Sequence, residues 1–370
     1  MRYYLVAGEA SGDLHGSNLI KALKERDANA EFRYYGGDLM QTEGGILVKH
    51  YAEMAFMGFV EVVLNLRTIL RNMKACKADI AAYRPDVLIL IDFPGFNLKI
   101  AEFAKTVGLQ VYYYISPKVW AWNQKRVLKI KKVVDHLFCI LPFEVDFYKT
   151  WGMQVDYVGN PLLDAVTAFR PDKEFISKNK FTTKPIVALM PGSRKQEITY
   201  LLPDMIAVAE SFPNYQFVIA GAPSFQQGFY DRFLQGKAIP VIFNATYDIL
   251  INAKAAIVAS GTATLETALF HVPQVVVYKG NPLTIGIARA LIKIRFISLV
   301  NLIMDKSVVK ELIQGDYNLA DTNSELNLLL NDKAYREAML NNYNELDVRM
   351  GTAGASAKTA DLIIDYATKQ

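Results

Sequence analysis

The chain has 370 residues, 52% of them hydrophobic, which is more than one typical domain needs and enough for two cores. A formal net charge of +4 is too small to argue for a nucleic-acid partner, although it suits an anionic membrane surface where the charges cluster. Two cysteines, Cys76 and Cys139, make no disulfide framework, and no Cys/His cluster points to a metal, so a reducing compartment is expected.

The N-terminus runs directly into a β-rich stretch, 2–6, without a signal-peptide pattern. No apolar run reaches the ~18–20 residues of a membrane span, so a soluble or peripheral protein is expected. The stretch ends in a glycine turn spaced Gly8-x3-Gly12-x3-Gly16, and a helical pattern covers 14–23. Strand, glycine turn and helix present backbone N–H groups and a helix N-terminus to an anion. The spacing is neither the dinucleotide fingerprint nor a P-loop, and it serves equally as a tight turn that packs the first helix on a sheet.

Further strands are predicted at 31–35, 87–91, 111–115, 136–140 and 154–157, with helical patterns between them. Several are continuous β-branched or aromatic runs, as in strands covered on both faces. The alternation predicts right-handed βαβ units and a parallel sheet. The stretch 169–183 is polar and basic, with prolines at 171 and 185, and reads as a linker. Alternation resumes with strands at 186–190, 216–220, 241–243, 255–259 and 274–278. A last amphipathic helix, 353–367, places Ala357, Ala360, Ile363, Ile364 and Ala367 on one face. The expected architecture is α/β, with two Rossmann-like doubly wound domains at 1–168 and 184–345. The C-terminal segment 346–370 is expected to pack back on the first.

Ligands of open parallel sheets bind beyond the carboxyl ends of the strands. Asp92 follows 87–91 and is a candidate general base, with helix capping as the plainer alternative. Gly192, Ser193 and Arg194 follow 186–190, and an arginine there can hold phosphate by two parallel hydrogen bonds. Ser260, Gly261 and Thr262 follow 255–259 and allow close approach of a ligand to the backbone. Glu266, one turn later, can accept two ribose hydroxyls, and it equally suits the positive start of a helix. Trp120 and Trp122 follow 111–115, where they either wall a sugar or lipid site or fill the core.

A second unusual stretch is 54–77. Phe59, Val62, Val63, Leu66, Ile69, Leu70 and Met73 form a helical stripe, with Arg67, Arg71 and Lys74 beside it. This predicts membrane or acyl-chain contact, against the alternative of an ordinary core-facing helix. The stretch 285–296, with Arg289, Lys293 and Arg295, repeats the basic–apolar character.

Nine segments together carry a resemblance. They are AGEASGD at 7–13, MGFVEVV at 57–63, PDVLILIDFPGFN at 85–97, YISPKVWAWNQKRV at 114–127, LPFE at 141–144, PGSRKQE at 191–197, SGTATLE at 260–266, SLVNLI at 298–303 and KELIQ at 310–314. The chain resembles the lipid-A-disaccharide synthases, family 19 glycosyltransferases of Gram-negative bacteria with the GT-B fold, in which the two domains face across a cleft. The resemblance implies transfer from UDP-2,3-diacylglucosamine to 2,3-diacylglucosamine 1-phosphate (lipid X), giving a β-1,6-linked tetraacyl disaccharide phosphate and UDP. It implies Asp92 and Arg194 as essential residues, and Asn301 and Gln314 as site positions beside Gly192, Ser193, Ser260, Gly261, Thr262 and Glu266 on the UDP-sugar side.

The remaining candidates, Glu9, Ser11, Gly12, Asp13, Asn97 and Trp120, lie on the first domain and are expected on the sugar and acceptor side. Gly95 stands where the family pattern has a second acid, which removes any role for that acid in this chain. An α-linked donor and a β product need one inverting displacement, with no cofactor and, lacking a DxD pair, no metal. Cytoplasmic location on the inner-membrane face is implied, and a homodimer stays open. Two alternatives also stay open here: another GT-B enzyme such as a UDP-N-acetylglucosamine 2-epimerase, and a non-catalytic two-lobed nucleotide-sugar binder.

Overall fold

The computed structural model describes residues 1–54, 65–281 and 295–369. Phe59, Val62, Val63, Arg289 and Lys293 lie outside the described residues.

The first unit comprises Met1–Asp164 and Thr352–Gln370. Its strands are β1 (Arg2–Ala7), β2 (Glu31–Gly36), β3 (Ile46–His50), β4 (Val87–Ile91), β5 (Val111–Tyr114), β6 (His136–Cys139) and β7 (Asp156–Tyr157). They form one parallel sheet in the order β3-β2-β1-β4-β5-β6-β7. Alternation along each strand feeds two cores, one per face. Tyr4, Val6, Leu88 and Leu90 enter one core, and Tyr3, Leu5, Ile89 and Ile91 enter the other.

The first core is closed by helices Leu66–Tyr83, Pro94–Thr106 and Val127–Val133 through Cys76, Ile80, Ile100 and Ile130. The second is closed by helix Ala10–Lys24 and by the last helix, Ala355–Thr368, through Leu19, Leu23, Ala360 and Ile363. An Arg26–Asp361 ion pair and a stacked His136–Tyr366 pair, 3.9 Å between centroids, also hold the last helix in this unit.

The second unit is Ala165–Gly351. Its strands β8 (Ile186–Met190), β9 (Gln216–Gly221), β10 (Val241–Phe243), β11 (Ala253–Ala259), β12 (Gln274–Tyr278) and β13 (Lys310–Ile313) form a parallel sheet in the order β10-β9-β8-β11-β12-β13. The stretch 169–183, read from the sequence as a linker, is part of this unit. Its short helix Phe175–Lys178 buries Phe175 edge-to-face on Phe181. The polar composition hid that one aromatic anchor.

Each sheet has one position where the strand order reverses. In the first it lies between β1 and β4, whose ends are level because Ala7 pairs with Ile91. In the second it lies between β8 and β11, where Met190 pairs with Val258. Loops diverge to opposite faces at such a point and leave a crevice beyond the strand ends. Among the described residues, no helix is long and apolar enough to cross a membrane.

Candidate functional site

At the first reversal point, Asp92 and Phe93 take consecutive left-handed φ values of 43° and 48°. For residues with a β-carbon this costs roughly 1–2 kcal/mol each, so the surroundings must impose it. The Asp92 N–H donates to the Tyr114 carbonyl at 3.0 Å. The Asp92 carbonyl accepts from Asn97 Nδ2 at 2.8 Å and from the Tyr113 hydroxyl at 2.5 Å. Asn97 Nδ2 also lies 3.1 Å from the Ile91 carbonyl and 3.2 Å from that of Val6.

Asn97 is fully buried, so its amide ties β1, β4 and the Asp92 turn together. Its Nδ2 thereby brackets the Asp92 turn, while its Oδ1 has no partner among the described residues. The Phe93 ring lies over Gly8, where a β-carbon would come within 2.2 Å of it. The opening glycine turn and the Asp92 turn therefore form one packed unit.

Burial pushes the Asp92 carboxyl above its ordinary range; nearby Lys118 opposes the shift and Glu9 reinforces it. Glu9 and Lys118 are thus each close enough to act on Asp92. Glu9 is half-buried and Ser11 exposed at the start of helix Ala10–Lys24.

Two neighbours expected on the ligand side are structural. Asp13 is buried, and its carboxylate accepts the N–H groups of Gly37, Leu39 and Met40 at 2.7–3.0 Å, bracing the start of helix Asp38–Thr42. Gly12 is buried with Ala7 against it, and a β-carbon there would lie 3.2 Å from that of Ala7.

Trp120, expected on the sugar and acceptor side, turns inward. It is 8% exposed, and its indole N–H donates to Glu144 Oε1 at 3.2 Å. Trp122 is the outward one at 55% exposed, with the Arg126 guanidinium 5.4 Å from its ring. Burial pushes Glu144 up to about 7, while N–H donors from Leu141 and Trp120 favour its charged form.

Helix Leu66–Tyr83 splits its apolar stripe. Met73, expected at a lipid surface, is buried in the first core, and Ile69 is half-buried. Leu66 and Leu70 are each 51% exposed, and Arg67, Arg71 and Lys74 are exposed as well.

At the second reversal point Gly192 has φ 98°, a glycine conformation, and a β-carbon there would meet Glu197 Oε2 at 2.5 Å. The N–H groups of Ser193 and Arg194 both donate to Glu197 Oε2 at 3.3 Å, and Arg194 Nη1 donates to Oε1 at 3.2 Å. A carboxylate thus sits where two backbone donors, a guanidinium and the start of helix Lys195–Glu210 converge, which is the chemistry of an anion cradle. Arg194 is 70% exposed.

Across the reversal, a side chain at Gly261 would enter open space, and helix Thr262–Leu269 starts immediately after it. The Ser260 hydroxyl donates to the Ile297 carbonyl at 2.9 Å. Glu266 accepts the Tyr247 hydroxyl at 2.7 Å; burial pushes its carboxyl up and that bond opposes the shift.

Two further candidates have other work. Asn301 is fully buried, with Nδ2 donating to Val309 O and Glu311 Oε1, and Oδ1 accepting from the N–H groups of Val308 and Val309. Every hydrogen-bonding position of its amide is used, so it shapes the turn into β13 and has none left for a ligand. Gln314 pairs its amide with Gly280 in both directions, at 2.9 and 3.2 Å, and so anchors the segment after β12.

Two doubly wound parallel sheets, with an acidic turn at one reversal point and an anion cradle at the other, give the molecule the GT-B fold. Solved structures agree on the fold. The UDP-GlcNAc 2-epimerase of Neisseria meningitidis, bound to UDP-GlcNAc, superposes with a TM-score of 0.66 at 12% identity over 100% of both chains. The glycotransferase of kitacinnamycin gives 0.68 at 13%, over 98% of both.

Sequence relatives are far nearer. The family model for lipid-A-disaccharide synthetase matches residues 3–361. The lipid-A-disaccharide synthase of Syntrophus aciditrophicus is 40% identical, over 99% of this chain and 97% of its own. That of Trichlorobacter lovleyi is 38% identical, over 98% and 97%. The chain belongs to the lipid-A-disaccharide synthase family, glycosyltransferases of lipid A biosynthesis.

Sequence reasoning passed over Lys118, Glu144 and Glu197, although each lies inside a motif that carried the resemblance. Tyr247 carried no sequence signal at all.

Proposed function

We propose that this chain joins UDP-2,3-diacylglucosamine to 2,3-diacylglucosamine 1-phosphate by one inverting displacement, without a metal. Asp92 takes the proton of the acceptor 6-hydroxyl as that oxygen bonds to the donor C1. The bond from C1 to the diphosphate oxygen breaks, and its electron pair leaves with UDP. Arg194, the N–H groups of Ser193 and Arg194, and the helix starts after Gly192 and Gly261 stabilise the charge on the departing diphosphate. Glu266 accepts the ribose hydroxyls, and Glu9 and Ser11 face the sugar and acceptor.

The observation that carries this reading is Asp92 itself. Its half-buried carboxyl has a raised pKa and stands on a strained turn at a sheet reversal, whose backbone carbonyl is held by Asn97 and Tyr113. A base with a raised pKa removes an alcohol proton more readily, provided it is ionised at the working pH.

Both substrates are acylated, which gives the exposed Leu66 and Leu70, flanked by Arg67 and Arg71, a place at the cytoplasmic face of the inner membrane. Incubating the purified chain with both acylated substrates and EDTA tests the proposal by mass spectrometry. Equimolar tetraacyl disaccharide phosphate and UDP are expected. A chain that releases neither product overturns it, and activity that requires an added divalent ion overturns the metal-free mechanism.

A further inference from the structure

Glu266 lies in helix Thr262–Leu269, and its single side-chain hydrogen bond among the described residues is the one it accepts from Tyr247, 2.7 Å from Oε1. Tyr247 comes from a different element, helix Thr246–Ile251, which follows β10. Its ring is fixed on two sides. Phe169 packs edge-to-face on it at 5.4 Å and 88°, and Phe270 lies 4.8 Å away, tilted at 50°. Phe169 and Phe270 also meet edge-to-face at 5.7 Å. Phe270 directly follows the helix that carries Glu266, so the clamp and the carboxylate are tied to the same piece of backbone.

A glutamate carboxylate has three side-chain torsions, and accepting two neighbouring hydroxyls requires that both its oxygens be held in one plane. Tyr247 occupies one lone-pair direction of Oε1. The other direction of that oxygen, and Oε2, have no hydrogen-bond partner among the described residues. Burial keeps the phenol firmly protonated, so it acts as a donor throughout the working range.

We propose that Tyr247 is a positioning residue that orients the Glu266 carboxylate toward nucleotide ribose, and so sets the preference for ribo- over 2′-deoxyribonucleotides. This rests on the assignment of Glu266 to the ribose hydroxyls made above. Tyr247 itself touches no substrate in this account. It removes the rotational freedom that Glu266 would otherwise lose on binding.

The test is isothermal titration of the full chain with two probes, UDP and 2′-deoxy-UDP, for the wild type, Tyr247→Phe and Glu266→Gln. Tyr247→Phe keeps the ring and both aromatic contacts and deletes only the hydroxyl. The wild type is expected to prefer UDP by about tenfold or more, as a charge-assisted hydrogen bond to a hydroxyl allows. In Tyr247→Phe, UDP binding is expected to weaken about fivefold while 2′-deoxy-UDP changes less than about twofold, so the ratio collapses.

If Tyr247→Phe weakens both probes equally, Tyr247 merely supports the fold and the proposal is overturned. An unchanged ratio in Tyr247→Phe beside a collapsed ratio in Glu266→Gln also overturns it, and leaves the ribose role of Glu266 intact. A ratio that survives Glu266→Gln overturns the ribose assignment itself. Tyr247→Leu, which removes ring and hydroxyl together, gives the same collapse under the proposal. A preserved ratio in Tyr247→Leu overturns the proposal too.

Discussion

The two reversal points share a topology and differ in nearly everything else. The one between β1 and β4 is acidic and half-buried. Asp92 is half-buried with its carboxyl pKa raised, Glu9 adds a second carboxyl, and Phe93 covers Gly8. The one between β8 and β11 is cationic and open. Arg194 projects into solvent, Gly261 has nothing above it, and two backbone N–H groups converge on Glu197. A parallel sheet supplies a crevice without specifying its chemistry, and the residues after each strand decide whether it handles a proton or an anion. Under the proposed function the half-buried acidic point serves deprotonation, which gains from a raised carboxyl pKa. The open basic point suits a diphosphate that must enter and leave.

If this division holds, changes at the two points should fail in different ways. The largest effect is expected from Asp92→Asn, which keeps the shape and removes the base. Its kcat should fall about 10³-fold, read by release of UDP with both acylated substrates. A variant near wild-type rate removes Asp92 from the chemistry.

Next is the exposed pair on helix Leu66–Tyr83. Leu66→Ser with Leu70→Ser should lower binding to anionic liposomes about tenfold, from the loss of two partly buried leucines, with an unchanged melting temperature. Unaltered liposome binding would mean this face has another use.

The pH profile sharpens the acidic side. The base must be ionised, so kcat/KM should fall as pH drops through a midpoint above the ordinary carboxylate value of about 4. Glu9→Gln removes a like charge and should move that midpoint down, whereas Lys118→Met removes an opposite charge and should move it up. A profile that neither variant displaces would separate the midpoint from Asp92.

The smallest effect is expected at Glu197. Its carboxylate occupies the donors that the diphosphate needs, so Glu197→Gln should bind UDP about two- to fivefold more tightly. Weaker binding would mean that Glu197 chiefly holds the turn.

Much of the fold was legible in the sequence because interior strands of a doubly covered sheet are continuous apolar runs. Val87–Ile91 and Ile186–Met190 are buried at every residue. The two strands without a sequence signal, β3 and β13, are edges. Each has one neighbour and carries polar residues, Lys49 and His50 in one and Lys310 and Glu311 in the other, so neither shows the uniform pattern.

The turns at Asp92, Arg194 and Gly261 were legible as strand-end features. The fates of Asp13, Asn97, Asn301 and Gln314 were not, because their partners are backbone groups supplied by other elements. The peptide groups that Asp13 braces begin at Gly37, and the carbonyl that Asn97 ties down belongs to Val6. Met73 was misplaced because the apolar stripe is wider than the arc the sheet covers. The core takes Met73 and leaves Leu66 and Leu70 outside.

The most direct test of the division of labour is a pair of UDP titrations, one on Asp92→Asn and one on Arg194→Ala. Asp92→Asn is expected to bind UDP like the wild type, and Arg194→Ala to bind it about tenfold or more weakly, as loss of a charge-assisted phosphate contact predicts. Loss of UDP binding in Asp92→Asn, or its retention in Arg194→Ala, would contradict the assignment of proton chemistry to one sheet and diphosphate chemistry to the other.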